Sequence, residues 1–137
     1  MRKGGFWKYF LWIVIIVFLF TIIDYIIHAS IEYLEIYYYP IPASLKFISD
    51  KPLVWYAFGK FYGTIILGLL CYPLLKRIKS NFAKSIVLTT IVVILLEVRY
   101  ILSGYYTWTW HLANFANHFI ALFVVSYIVF SKEKVFR

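Results

Sequence analysis

Cysteine occurs once, as Cys71, so no disulfide can form within the chain and no redox compartment can be inferred from it. Charge is scarce: Asp, Glu, Lys and Arg together make up 15% of 137 residues, far below a soluble average. Acidic residues are scarcer still, six against fourteen Lys and Arg. There is no Gly-rich phosphate loop, no Ser nucleophile motif, no H-E-x-x-H or Glu-x-x-His pair and no Cys set. The formal net charge of +8 does not mark a nucleic-acid surface, because the basic residues sit mostly at the ends of apolar runs. No internal repeat or low-complexity segment is present.

What the chain has in abundance is apolar sequence, 64% of all residues. Four runs of about twenty residues with short connections use up the length, which predicts an all-α integral membrane protein. The expected architecture is one membrane domain, a four-transmembrane-helix bundle with spans at about 6–28, 53–75, 85–103 and 110–130. The start, Met1-Arg-Lys before an apolar run, resembles a signal peptide. The run is too long for one, however, and Asp24, Tyr25 and His28 follow instead of a small-residue cleavage site, so it is expected to be a retained first span. The first helix is expected to continue to Tyr38. Pro40, Pro42 and Pro52 mark a turn-rich loop, with a short surface helix expected around Leu45 to Ile48. Gly59 and Gly63 form a G-x3-G pair of the kind that lets helices approach closely, and Pro73 is expected to bend or end the second helix.

Ten of the fourteen Lys and Arg residues lie in the N-terminus, in Lys76 to Lys84 and in the tail. By the positive-inside rule both termini are cytoplasmic. The expected localisation is a multi-pass integral membrane protein, in the cell membrane if the source is prokaryotic. The orientation gives the polar residues a common depth. Asp24, His28, Glu32 and Glu35, then Lys60, then Glu97 and Arg99, then His111, Asn114, Asn117 and His118 all fall in outer halves of spans. At about 100° per residue, Asp24, His28 and Glu35 share one helical stripe, with Glu32 close by. Ionisable groups at such depth are costly and face a bundle interior or cavity.

Two readings of these residues stand side by side. In one, Asp24, His28, Glu32, Glu97, Asn117 and His118 line an outward-facing polar cavity that binds an apolar, lipid-like molecule. In the other, buried pairs such as Asp24 with Lys60, or Glu97 with a histidine of the fourth span, simply hold the bundle together. The chain would then be a structural or accessory subunit of a larger membrane complex, or a homo-oligomer. A third alternative is a metal- or proton-handling protein. Asp24-x3-His28, Asn114-x3-His118 and the His111/His118 pair offer weak metal-ligand sets on single helix faces, but no metal or other cofactor is favoured. Expected partners are membrane lipid and an apolar small molecule, with no nucleic acid.

Ile27 to Tyr38, I-H-A-S-I-E-Y-L-E-I-Y-Y, resembles the first motif of the emopamil-binding protein family, the four-span EXPERA fold of sterol isomerases and related lipid-binding proteins. Glu97-Val-Arg-Tyr resembles an acidic-Val-x-Tyr stretch in that family's third span, and Asn117 sits where the family has an Asn in its last span. The resemblance implies a lipid cavity lined by His28 and Glu32 with Asn117 facing them, and a proton-transfer role for such acids in the isomerases. The chain departs from the pattern in two places. The second span has Lys60-Phe-Tyr-Gly-Thr64 in place of a second acid, and Ile120 replaces an aromatic one turn after the Asn. The resemblance therefore implies the cavity more than the isomerase reaction.

Overall fold

The computed structural model describes residues 4–38, 53–104 and 108–132, apart from the side chains of residues 4, 28–29, 31–38, 53–59, 99–100, 103 and 110. The described chain is helical, with no strand: α1 (Gly4–Tyr38), α2 (Leu53–Leu70), the one-turn α3 (Tyr72–Leu75), α4 (Asn81–Ser103) and α5 (Trp108–Lys132). The expected surface helix at Leu45 to Ile48 lies outside the described residues.

Local chemistry accounts for the boundaries. Pro73 stands in the first turn of α3, where its missing N–H costs nothing, and the continuous helix of the second apolar run ends at Leu70. The chain bridges the break at Cys71, whose N–H reaches the carbonyls of Leu67 and Gly68 at 3.3 and 3.2 Å. Ser80 caps α4, its hydroxyl oxygen accepting from the Ala83 N–H at 3.3 Å. Gly104 ends α4 with φ 68°, a left-handed conformation that favours glycine.

Three helices are long and apolar enough to cross a membrane by length and composition: Gly5–Ile27, Asn81–Val98 and His111–Lys132, with mean hydropathies of 2.8, 1.8 and 1.7. Such helices are compatible with an integral membrane protein. The second expected span, 53–75, does not form one continuous apolar helix. The helix ends at Leu70, and the one-turn α3 follows the break at Cys71.

The long helices close a circuit. α1 packs on α2 and α5, α5 packs most extensively on α4, and α4 completes the ring against α2. Three of them contribute a buried apolar stripe: Tyr9, Ile13, Ile16, Val17 and Phe20 from α1, Leu88, Val92, Val93 and Leu96 from α4, and Leu122, Val125, Val129 and Phe130 from α5, with Phe61, Ile65, Leu67 and Leu69 of α2 packed against them. The outward faces are apolar too, with Trp7, Phe18, Ile26, Leu102, Leu112 and Ile120 among the exposed residues. A helix apolar all round needs either a large protein interior or lipid to cover it.

The tightest crossing joins α1 to α2. The Tyr9 hydroxyl donates to the Gly68 carbonyl at 2.5 Å, and a Cβ built on Gly68 would lie 2.9 Å from Ile13 Cγ2. Close approach therefore occurs at Gly68. At Gly63 a Cβ would meet open space, so among the described contacts the G-x3-G pair does not pack within the chain. Gly59 lies outside the described side chains.

Candidate functional site: a buried charge quartet

Toward one end of the bundle the apolar stripes turn polar. Asp24 follows Phe20 by one turn on α1, Glu97 follows Val93 on α4, and His118 precedes Leu122 on α5. Lys60 stands one turn before the buried Thr64 on α2, and the Thr64 hydroxyl donates to the Lys60 carbonyl at 2.7 Å. The positions that build the core thus bring one ionisable residue from each long helix to a single point. All four are buried, and His118 has no exposed surface at all.

The geometry centres on the His118 ring. Lys60 Nζ donates to Asp24 Oδ2 at 2.6 Å and stands 2.5 Å from His118 Nε2. The same Nε2 is 2.9 Å from Asp24 Oδ1. On the other side, His118 Nδ1 is 3.0 Å from Glu97 Oε1, which also accepts from Asn114 Nδ2 at 2.7 Å. His111, three residues before Asn114 on α5, places Nδ1 3.9 Å from Glu97 Oε2. Phe20 bounds the site on the core side, its ring edge-on to His118 at 5.8 Å and 5.6 Å from the Lys60 ammonium. An aromatic face toward a desolvated cation adds stabilisation of about 2 kcal/mol.

Proton placement follows from donor and acceptor chemistry. His118 Nδ1 faces a carboxylate oxygen and donates to it. His118 Nε2 faces both an amine and a carboxylate oxygen. If Lys60 is an ammonium, Nε2 accepts from it and the imidazole is neutral. If Nε2 carries the proton, the ring is an imidazolium and the amine is neutral. These forms differ by one proton moved between two nitrogens already in contact. In either form the quartet carries one negative charge, and a further proton makes it neutral.

Both pairings expected from the cost of lone intramembrane charge are present, Asp24 with Lys60 and Glu97 with a histidine of α5. Asp24, Glu97 and His118 are brought together. Asn117 is only half-buried and makes no hydrogen bond to the cluster among the described residues; Asn114, one turn from His118, makes the contact with Glu97. The backbone of His28 and Glu32 continues α1 one and two turns beyond Asp24, but their side chains lie outside the described residues. Among the described residues no group of three His, Cys, Asp or Glu side chains is placed to hold a metal ion. Lys60 Nζ stands between Asp24 and His118.

No family model matches the chain, and neither a curated protein nor a solved structure matches it.

Proposed function

We propose that the chain is a multi-pass integral membrane protein of four spans, with both termini cytoplasmic, whose buried quartet binds and releases protons from the outer side. The observation that carries this is the His118 ring, held between the carboxylates of Asp24 and Glu97 with an amine on the same nitrogen as Asp24. A purely structural cluster needs matched pairs. This cluster has two proton positions within contact of each other and can accept one proton more. Ionisable chains of this composition inside membranes mark proton relays, and the site's low polarity makes its protonation states sensitive to small changes nearby. The basic bias of the N-terminus, of Lys76 to Lys84 and of the tail supports the orientation. The second span is completed by α3 after the break at Cys71.

The test is proton counting. In weakly buffered proteoliposomes with an impermeant pH dye outside, a small acid pulse should produce uptake by the wild-type protein beyond that of its lipid. Glu97→Gln and His118→Asn should remove it. Uptake identical in wild type, Glu97→Gln, Asp24→Asn and His118→Asn would leave the quartet a structural clamp, and with it the accessory-subunit role.

A second reading is supported by the continuation of α1 through Tyr38, which carries His28 and Glu32 outward from the quartet on the same helix. Together with the half-buried Asn117, these residues would line an outer cavity for an apolar, lipid-like ligand. The resemblance to the emopamil-binding protein family supports the same set. Lys60 occupies the span in which that family has its second acid, so we favour ligand binding over isomerisation.

A further inference from the structure

Glu97 divides its two oxygens unequally. Oε1 accepts from Asn114 and contacts His118, whereas Oε2 is buried and, among the described residues, accepts no hydrogen bond. His111 Nδ1 stands 3.9 Å from Oε2, too long for direct hydrogen bonding. A buried carboxylate oxygen left this way is costly, and a polar contact of this length is where a bridging water belongs. A water at about 2.8 Å from each atom fits a 3.9 Å separation, and two to four polar partners hold it in place.

We propose that an internal water seated against Glu97 Oε2 and His111 Nδ1 is a built site, and that His111 is the outer entrance to the proton centre. His111 is buried, and its ring meets Trp108 at 5.8 Å, a residue 72% exposed at the start of α5. The imidazole therefore separates the outer end of the helix from the buried carboxylate. His111 and His118 are seven residues apart on one face of α5, and Glu97 lies against both.

The transfer balances in protons alone. His111 Nε2 takes a proton from the outer side, and Nδ1–H passes its proton to the water. The water passes one of its own to Glu97 Oε2, and the resulting carboxyl leaves the quartet neutral. No heavy-atom bond forms or breaks. The charged and titratable groups facing this path are Asp24 from α1, Lys60 from α2, Glu97 from α4 and His118 from α5, with Asn114 holding Oε1 in place. Proton uptake through His111 rests on the reading of the quartet as a proton centre.

The experiment is time-resolved infrared spectroscopy of proteoliposomes after an external acid jump. It follows the carbonyl stretch of a protonated carboxyl group, assigned to Glu97 by its loss in Glu97→Gln. Replacing His111 by Gln should slow the rise of this band by about a hundredfold, the lower end for a positioned proton-transfer group. Its final amplitude should be unchanged, and added imidazole should partly restore the rate. An unchanged rate would overturn the entrance while leaving the proton centre intact; no Glu97-dependent band in the wild type would overturn the proton centre itself. For the case in which His111→Gln does not fold, water-edited nitrogen NMR of the wild type decides. Transfer from a slowly exchanging water to His111 Nδ1 supports the site, and its absence overturns it.

Discussion

Ile13 and Gly68 meet where no larger residue fits: a Cβ on Gly68 would stand 2.9 Å from Ile13 Cγ2. The methyl it would strike belongs to a β-branched side chain, which in a helix has essentially one rotamer and cannot swing aside. Relief must come from the backbone of α1 or α2. The same residue offers its carbonyl to the Tyr9 hydroxyl, so parting the helices also breaks a buried hydrogen bond. Gly68→Ala should therefore destabilise the protein despite its gain in helix propensity, by about 1–3 kcal/mol. Tyr9→Phe keeps the ring and removes the hydroxyl's bond to Gly68, and should cost about 1 kcal/mol. Thermal unfolding in a mild detergent would check both. A Gly68→Ala variant as stable as wild type would show that the crossing yields freely.

Asp24 and Lys60 are joined at 2.6 Å with both side chains almost fully enclosed. Removing one partner leaves the other charge buried, a loss of about 3–5 kcal/mol. Asp24→Asn and Lys60→Met should each destabilise strongly, and the double variant should lose much less than their sum. The thermodynamic cycle in one detergent gives the coupling directly. Simple additivity would mean that neither residue depends on the other.

Much of this arrangement was legible in the sequence for a physical reason. Asp24, Glu97 and His118 interrupt apolar stripes at helical spacing, and a group that cannot leave the stripe must find its partner across the interior. Lys60 carried the same signal, though a long amine at a span end can equally well reach the interface. Its direction is set by Asp24 and His118, which belong to other helices. The choice of Asn114 over Asn117 could not be read locally, because both lie within one turn of His118; the rotation of α5 against α4 selects between them. Close packing at Gly68 escaped for a similar reason. A lone glycine in an apolar helix shows no partner, while Gly59 and Gly63 present a motif that, among the described residues, does not pack within the chain at Gly63.

Topology is open to a direct check. Cys71 is the single cysteine and is buried, so replacing it by Ala gives a clean background for single-cysteine labelling. With a membrane-impermeant maleimide applied to right-side-out vesicles, Ser49→Cys should react and Lys79→Cys should not. After lysis both should react. The reverse pattern would invert the proposed orientation and put the quartet in the cytoplasmic half.

Glu32 decides between the proton centre acting alone and a centre beside a ligand. The continuous helix from Gly4 to Tyr38 places Glu32 two turns beyond Asp24 along α1 and His28 one turn beyond it. One turn apart, His28 and Glu32 can reach the same ligand. A lipophilic amine would gain a charge-assisted hydrogen bond from an ionised Glu32, stronger than a neutral one. Glu32→Gln keeps the shape and removes the charge. It should weaken binding of a lipophilic amine by about tenfold or more, the loss of one charged hydrogen bond of about 1.5–3 kcal/mol, without lowering the unfolding temperature. Scintillation proximity with a tritiated lipophilic amine on the detergent-purified protein measures this. Equal binding by wild type and Glu32→Gln would remove Glu32 as the anchor. Proton uptake in the same variant separates the two sites: it should persist, because Asp24, Lys60, Glu97 and His118 are joined to one another directly.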